Sequence, residues 1–389
     1  MKGFQFHGID CGIKKQGLKD LGVIFSTVPA SAAAVFTKNR VVAAPVELGR
    51  EKIKSGQCQA IVVNSGNANC FTGEQGIEDA EETAKLMGQA LNISPRLVQV
   101  SSTGVIGAPM PMHRIRDGVP RLVNDLKKGS INDFAESILT TDTCIKVVSR
   151  SVKTDRFEYT LTGVAKGSGM IQPNMATMLA FVCTDAGVDP GLLQTCLKDT
   201  CDRSFNRITV DGDTSTNDTV FCLANGLSQY SVVDELEIDL FQNALDHVCI
   251  ELSKAIVRDG EGATKLVKIN VTHAPSPKAA YQVAYAISHS NLVKTAVYGE
   301  DPNWGRITAA AGRSGADVDP GLMDLYFDDI CLVKKGLWQG NAIEQQAAQI
   351  MKKDELTITL DLNCGECHDY FYFCDFSEDY VRINADYRT

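Results

Sequence analysis

The chain has 389 residues, a formal net charge of −10 and an ordinary hydrophobic share of 44%. That length allows two or three packed units with a large core. The acidic balance argues against nucleic acid or an anionic membrane as a partner, because either would need a basic surface. It leaves open a small anionic substrate, which needs only a local cluster of hydrogen-bond donors.

Apolar, β-branched runs that predict strands recur along the whole chain. In chain order they are Val23–Thr27, Ala60–Val63, Leu97–Ser101, Val147–Ser151, Tyr159–Val164, Met178–Cys183, Thr219–Leu223, Leu266–Val271, Lys294–Tyr298, Tyr326–Lys334 and Leu356–Leu362. Several of these runs follow one another through short turns, as in Val147–Val164. At least part of the sheet is therefore predicted to be antiparallel.

Helical periodicity is clearest in Ile77–Leu91 and Phe241–Ile256, where apolar residues recur every three or four positions. Asp259-Gly260, just after the second segment, is a helix stop signal. Shorter helices are predicted at Met110–Leu126, Asn132–Leu139, Pro190–Cys201, Pro277–Ser288 and Ala342–Lys352. The chain thus belongs to the α/β or α+β class, and nothing in its composition marks a domain boundary.

The 13 cysteines are scattered along the chain. The first twelve residues lack a secretory signal pattern and no apolar run reaches the length of a membrane span, so we expect reduced thiols and a cytoplasmic protein. Cys364-Gly365-Glu366-Cys367-His368 has the spacing of a haem-attachment motif or of half a zinc site. Haem attachment needs export, and no second ligand pair lies nearby in sequence. We predict a hairpin turn without a metal, joining the strand-like runs Leu356–Leu362 and Tyr370–Cys374.

Standard catalytic signatures are missing: the sequence has no G-x-S-x-G elbow, Walker A loop, G-x-G-x-x-G run or H-E-x-x-H pair. Six loops rich in glycine, asparagine and threonine flank the predicted elements: Asn64–Asn69, Ser101–Gly107, Thr140–Thr143, Lys166–Met170, Asp211–Thr214 and Asp259–Gly262. Each alone is more often a turn or a helix cap. Together they indicate a polar site in which backbone N–H groups face a ligand. Asp185, Asp211 and Asp213 are interpreted as loop and cap residues.

The run KGSGMIQPNMATMLAF, from Lys166 to Phe181, resembles the processing-site signature of the ornithine acetyltransferase family, also called the glutamate N-acetyltransferase family. The resemblance covers essentially the whole chain. Other matching segments are Asn64–Asn69, Ser102–Gly104, Thr140–Thr143, Val210–Asp218, Asp259–Lys265, Glu300–Ile307 and Tyr380–Thr389. It implies a layered sandwich of mixed, partly antiparallel sheets flanked by helices. The fold that is implied is of the N-terminal-nucleophile type and resembles the DmpA/ArgJ-like fold.

The resemblance implies self-cleavage between Ala176 and Thr177, giving an α chain of residues 1–176 and a β chain of residues 177–389. Ala176 is small, so its carbonyl can be approached closely. Thr177 Oγ can attack that carbonyl and form an ester, which water hydrolyses. The freed α-amine has an ordinary pKa of about 7.7–8, which suits a general base. Thr177 would then carry both nucleophile and base.

The implied reaction moves an acetyl group from N2-acetylornithine to Thr177 and then to glutamate. Thr103 and Gly104 would supply the oxyanion-hole donors. Lys166 would meet a carboxylate or position the reacting end, and Glu261 would meet an amine of ornithine. The full set of implied substrate-binding residues is Thr140, Lys166, Thr177, Glu261, Asn384 and Thr389.

Several points stay open at this level. The sequence does not decide which threonine of Thr140–Thr143 contacts substrate, or whether acetyl-CoA is a second acetyl donor. The resemblance implies no metal or diffusible cofactor, and it implies a heterotetramer of two α and two β chains. The alternatives are a self-processing amidohydrolase or aminopeptidase that uses water as acceptor, and an unprocessed small-molecule binding protein that keeps the fold.

Overall fold

The computed structural model describes residues 1–155, 157–172 and 178–386. Ala176, Thr177 and Thr389, all named above as site residues, lie outside the described residues. Within the described residues, no helix is both long and apolar enough to span a membrane.

The strands are distributed along the whole chain. In order they are β1 (Phe4–Ile9), β2 (Leu21–Phe36), β3 (Gln57–Asn67), β4 (Val98–Val105), β5 (Lys146–Lys153), β6 (Glu158–Lys166), β7 (Leu179–Thr184), β8 (Ile208–Thr209), β9 (Thr219–Ala224), β10 (Leu266–Ala274), β11 (Asp324–Phe327), β12 (Ile330–Lys334), β13 (Leu337–Trp338), β14 (Glu355–Asp361) and β15 (Cys367–Cys374).

Helices alternate with these strands. They are α1 (Ala44–Lys52), α2 (Gly73–Leu91), α3 (Met112–Asn124), α4 (Ile131–Ser137), α5 (Pro190–Arg203), α6 (Glu235–Arg258), α7 (Pro277–Ser288), α8 (Asn291–Tyr298), α9 (Trp304–Gly312), α10 (Asn341–Ile350) and α11 (Glu378–Asp386).

The chain packs into two compact units. The first contains Met1–Asn206 and Asp213–Ile256, and the second contains Arg207–Gly212 and the described residues from Val257 onward. These boundaries do not follow the predicted division into an α and a β chain. That division concerns a peptide bond rather than packing, so it stays a prediction.

The sheet of the first unit has the order β4-β3-β2-β9-β7-β6-β5, with β1 added to β2. The long strand β2 pairs with β3 through its first half and with β9 through its second half, with a register shift after Phe25. One buried cluster contains Ile61 of β3 together with Phe181 of β7 and Phe221 of β9. The two halves of the sheet therefore face each other across a shared core, as two layers.

Helix α4 is packed into this core. Ser130 Oγ accepts a hydrogen bond from Asp133 N, and the Asp133 side chain accepts from Ser130 N, so a capping box starts the helix. Phe134 is fully buried and meets Phe181 edge-on, with ring centroids 5.4 Å apart. Burial of such a side chain contributes roughly 1.5–3 kcal/mol. The Thr140–Thr143 loop starts three residues after Ser137, the last residue of α4, so this packing fixes where that loop begins.

The second unit has its own sheet, in the order β13-β12-β11-β14-β10-β15-β8. Val267, Ile269 and Val271 alternate along β10 and are all buried. They lie in one cluster with α7 residues such as Val283 and Ile287. Every second residue of a strand points to the same face of the sheet. This face of the sheet is therefore apolar, and helices such as α7 pack against it.

Most predicted elements are confirmed, with boundaries shifted by a few residues, and the predicted α/β (α+β) fold of mixed, partly antiparallel sheets is confirmed too. The predicted antiparallel pair within Val147–Val164 is β5 and β6. Tyr326–Lys334 contains two strands, β11 and β12, that pair with each other. The elements that the sequence pattern did not predict are α1, α9, α11, β1, β8 and β13.

The predicted strand Lys294–Tyr298 is wrong, because this segment is the end of α8. Ser290 Oγ accepts a hydrogen bond from Val293 N and so caps the helix start. Val293, Lys294, Ala296 and Val297 are buried, which is helical spacing. β-branched residues favoured a strand, but the cap and the burial of one helical face outweighed that preference.

The predicted hairpin turn at Cys364–His368 is also wrong. β14 pairs parallel with β10, and β15 pairs antiparallel with β10 on its other side. The connection therefore passes over the end of β10, where Cys364 N donates to His273 O at 2.9 Å. No group of three His, Cys, Asp or Glu side chains able to hold a metal occurs within residues 1–155, 157–172 and 178–386.

Candidate active site

Two of the predicted loops meet at the ends of β3 and β4. These strands are parallel, so their carboxyl ends share one edge of the sheet, and Gly66 is in register with Gly104. Gly104 has φ +132°, and a Cβ there would lie 2.3 Å from the carbonyl carbon of Gly66. Only glycine allows this close approach. It places Thr103 and Gly104 beside the Asn64–Asn69 loop.

Buried amide side chains connect these loops. Ser102 Oγ donates to Asn64 Oδ1 at 2.6 Å, and Asn64 Nδ2 donates to Asn67 O at 2.8 Å. Asn217, just before β9, donates from Nδ2 to Ala68 O at 2.6 Å and to Ser102 O at 2.8 Å. The loop edge is therefore held from three segments of the chain.

Lys166, at the end of β6, brings two of the predicted site threonines together. Its Nζ donates to Thr140 Oγ1 at 2.8 Å and to Thr103 Oγ1 at 3.3 Å, and the residue is only 3% exposed. An ammonium group has donors only, so both hydroxyl oxygens must accept. Each hydroxyl then keeps its own hydrogen for another acceptor. Within the Thr140–Thr143 loop, Thr140 supplies the hydroxyl that meets Lys166.

Asp142 lies among buried cationic groups. Its Oδ1 accepts from Lys146 Nζ at 2.8 Å and from Gly167 N at 2.6 Å, and its Oδ2 is 4.0 Å from Lys166 Nζ. The side chains of Asp142 and Lys146 are completely buried. Burial raises the pKa of Asp142, but Lys166, Lys146 and the Gly167 N–H outweigh it and hold the pKa at about 2. Asp142 therefore connects Lys146 and Lys166 within one buried polar cluster.

Met178, the residue after the predicted nucleophile, is fixed through both of its backbone polar groups. Its N–H donates to Asp218 Oδ1 at 2.8 Å, and its carbonyl accepts from Thr219 N at 3.2 Å. Burial raises the pKa of Asp218 well above the ordinary value, although the Met178 N–H and the charge of Lys166 act in the opposite direction.

In the second unit the structure brings Glu261 and Asn384 together. Asn384 Nδ2 donates to Glu261 Oε2 at 2.8 Å, and Glu261 is 8% exposed. Gly262, with φ +70°, has no room for a side chain, because a Cβ would lie 2.5 Å from Tyr380 N. Ser377 Oγ donates to Gly262 O at 2.6 Å. These contacts hold the start of α11 against the loop that carries Glu261.

Sequence reasoning assigned no role to Asp142, Lys146 or Asp218. For Asp142 and Lys146 the available signal was their spacing of four residues beside a threonine-rich loop, although such charges are usually exposed. For Asp218 the signal was an acidic residue directly before the apolar run of β9. Asp185 behaves as predicted for a loop residue, since its carboxylate accepts from Lys2 N and Thr160 N.

The chain is similar to known proteins over its whole length. The ArgJ family model matches residues 5–389. The arginine biosynthesis bifunctional protein ArgJ of Geobacter sulfurreducens is 49% identical over all of this chain and all of its own. The protein of the same name from Syntrophotalea carbinolica is 50% identical over all of this chain and 99% of its own.

One solved structure, the arginine biosynthesis bifunctional protein ArgJ of Bacillus halodurans, aligns with a TM-score of 0.51 and 44% identity. The alignment covers 98% of that chain but 53% of this one. The chain described here belongs to the ArgJ family. This confirms the family predicted from the Lys166–Phe181 run and, with it, the prediction of an enzyme of arginine biosynthesis.

Proposed function

We propose that the chain cuts itself between Ala176 and Thr177 and then transfers acetyl from N2-acetylornithine to glutamate through an acetyl-Thr177 intermediate. The products are ornithine and N-acetylglutamate. The observation that carries the proposal is the contact of Lys166 Nζ with the hydroxyls of Thr103 and Thr140. It joins three matched family positions in one buried polar cluster, and Lys166 is the first residue of the Lys166–Phe181 run.

In the cleavage step, Thr177 Oγ attacks the Ala176 carbonyl carbon and the C–N bond breaks. The hydroxyl proton passes to the Thr177 nitrogen, leaving an ester. Water then adds to the ester carbonyl and releases the Ala176 carboxylate, the Thr177 hydroxyl and a free α-amine. The amine is the base in later turnover, because its ordinary pKa lies near neutral pH.

In the transfer step, Thr177 Oγ attacks the acetyl carbon of N-acetylornithine and the α-amine passes the hydroxyl proton to the departing ornithine nitrogen. The glutamate amine then attacks the acetyl-threonine ester and restores the hydroxyl. Each attack creates an oxyanion. The Gly104 N–H and the Thr103 hydroxyl are the proposed donors, and one such donor is typically worth about 2.7–4 kcal/mol.

Lys166 has a defined part in this arrangement. It forces Thr103 Oγ1 to act as acceptor toward the ammonium, so the Thr103 O–H hydrogen is available to the oxyanion. Its charge, held by Asp142, also favours the developing negative charge. None of these roles needs a metal or a diffusible cofactor.

The lengths of solved chains support the proposed cleavage. The Bacillus halodurans chain matches over 98% of its length but spans 53% of this chain. Residues 177–389 are 213 of the 389 residues, about 55%. A solved chain of that length is expected when a precursor separates into two pieces. We further propose that two α and two β chains assemble into a cytoplasmic heterotetramer, which mass measurement under native conditions would test.

Electrophoresis under denaturing conditions tests the self-cleavage. Wild type should give two fragments of about 176 and 213 residues, as counted from the sequence, and Thr177→Ala should give one full-length band and no acetyl transfer. A persistent full-length band in wild type would favour the unprocessed binding protein instead. Release of free acetate from acetylornithine, unchanged by glutamate, would favour the hydrolase.

A second assay tests the donor range. The matched relatives are named bifunctional, and we propose that this chain also uses acetyl-CoA as an acetyl donor to glutamate. N-acetylglutamate formed from acetyl-CoA by wild type and not by Thr177→Ala would support this. No product above the Thr177→Ala background would restrict the enzyme to acetylornithine.

Asn384 offers a separate test of the second-unit assignments. Asn384→Ala removes the hydrogen bond to Glu261, so we expect the KM for acetylornithine to rise about tenfold, the size of one hydrogen bond to a charged group. Arg382→Ala, on the same helix, loses only an exposed ion pair with Asp379 and should leave KM unchanged. Equal effects of the two variants would contradict a substrate role for Asn384.

A further inference from the structure

Asp218 is a buried acid that the mechanism above does not use. It is 1% exposed and lies directly before β9. Its Oδ1 accepts from Met178 N, while its Oδ2 has no hydrogen-bond partner among the described residues, 1–155, 157–172 and 178–386. Buried polar atoms in native proteins are nearly always satisfied, so an exception of this kind calls for a functional explanation.

Other buried carboxylates of this chain look different. Asp324 accepts from Lys335 N through Oδ1 and from Lys334 Nζ through Oδ2, at 2.7 and 2.6 Å. Asp375 likewise uses both oxygens, for the backbone N–H groups of Thr264 and Lys265 and for the Thr264 hydroxyl. Both carboxylate oxygens of Asp324 and of Asp375 thus have hydrogen-bond partners. Asp218 Oδ2 has none among the described residues.

The bond from Met178 to Asp218 acts on a particular peptide plane. The amide of Met178 contains the carbonyl of Thr177, and the six atoms from one Cα to the next lie close to a plane. Fixing the direction of the Met178 N–H therefore restrains the amide that joins Met178 to the chain before it. The Met178 carbonyl is tied to Thr219 N as well, so β9 restrains the chain on both sides of the Met178 Cα.

We propose that Asp218 is a positioning residue for Thr177: it holds the peptide plane that follows the nucleophile, so that the hydroxyl can attack the Ala176 carbonyl. The proposal rests on the self-cleavage proposed above. Asp218 acts through Met178 rather than on the reacting atoms.

The chemistry of the acid agrees with this role. Burial raises the pKa of Asp218 well above its ordinary value and so favours the protonated form of the side chain. A neutral acid can accept from the Met178 N–H through one oxygen and donate through the other. A carboxamide of the same size can do both as well. Asparagine should therefore replace Asp218, whereas an apolar residue should not.

The test follows the first-order conversion of newly made full-length chain into two fragments during cell-free synthesis. We expect Asp218→Asn to cleave within about fivefold of wild type and Asp218→Leu to cleave at least 100-fold more slowly. Asp218→Ala is a second apolar variant, in case leucine prevents folding. Asp324→Leu and Asp324→Asn are the matched controls, since they remove a buried carboxylate from the second unit and should cleave at the wild-type rate.

The possible results distinguish failure of this proposal from failure of the proposed self-cleavage. If Asp218→Leu or Asp218→Ala, folded by circular dichroism, cleaves within threefold of wild type, the proposal is overturned. An Asp218→Asn chain as slow as the apolar variants also overturns it, because charge rather than hydrogen bonding would then be needed. Slow cleavage in the Asp324 variants would also overturn the proposal, because the loss of any buried carboxylate would then slow cleavage by destabilising the fold. A wild-type chain that never cleaves would refute the proposed function itself.

Discussion

Two loop regions of the first unit each bury an acidic side chain, with opposite results. In the Thr140–Lys146 region, Asp142 meets two lysines and a backbone N–H, and its pKa falls to about 2. In the segment before β9, Asp218 has one backbone N–H at 2.8 Å, and its pKa rises well above the ordinary value. Burial raises the pKa of both acids. The lysines and the Gly167 N–H outweigh burial at Asp142, whereas burial outweighs the opposing groups at Asp218.

The difference separates two uses of a buried acid. Asp142 is the counter-ion of Lys146 and lies 4.0 Å from Lys166 Nζ. Asp218 is a hydrogen-bonding group that accepts from the residue after Thr177. Replacing each acid by asparagine should therefore have very different consequences, and each consequence can be measured.

The largest expected effect is on stability. Asp142→Asn removes a buried charge that pairs with Lys146, so the free energy of unfolding should fall by about 3–5 kcal/mol. Asp218→Asn keeps an oxygen that can accept from the Met178 N–H, so stability at pH 7 should stay equal to wild type or rise slightly. Urea unfolding measures both, in a Thr177→Ala background that keeps every sample a single chain. Equal losses in the two variants would abolish the distinction between the two acids.

The second-largest effect is expected at the loops after β3 and β4, which Asn217 supports through hydrogen bonds to Ala68 O and Ser102 O. Gly104→Ala would place a Cβ 2.3 Å from Gly66 and displace the proposed oxyanion donor, so kcat for acetyl transfer should fall about 100-fold. Gly107→Ala is the control. Gly107 also has a positive φ, of +81°, but has nothing within 4 Å of an added Cβ, so it should lose only about 1 kcal/mol of stability. A similar kcat for the two variants would count against Gly104 as a donor.

The smallest expected effect is in the acid range. The pKa of Asp142 is lowered from its ordinary value of 3.8 to about 2. A lowered pKa contributes stability above the unfolded value, and this stability is lost as pH falls through the folded value. Between about pH 4 and pH 2, wild type should therefore lose about 2 kcal/mol that Asp142→Asn, already lacking the carboxylate, does not lose. Parallel stability curves for the two chains over this range would show that Asp142 is not held ionised.

The same comparison shows how far the site could be predicted. Thr103, Gly104, Thr140 and Lys166 were found by resemblance, and in the structure they lie on neighbouring loop ends. Asp142, Lys146 and Asp218 were not found. Acidic and lysine residues are usually on the surface. Nothing in the neighbouring sequence shows that Asp142 is buried beside Lys146, four residues away, or that Asp218 is buried beside Met178, 40 residues away.

The sequence by itself determined most element types, since hydrophobic periodicity and caps act within a few residues. It also determined the family, through the uninterrupted Lys166–Phe181 run. Only the tertiary structure decided that Lys294–Tyr298 is helical, and that β14 and β15 flank β10 rather than forming a hairpin. It likewise decided which buried acid is charged. These outcomes depend on partners that the chain brings together only when it folds, because strand order, burial and counter-charge are properties of the space around a residue and not of its neighbours in sequence.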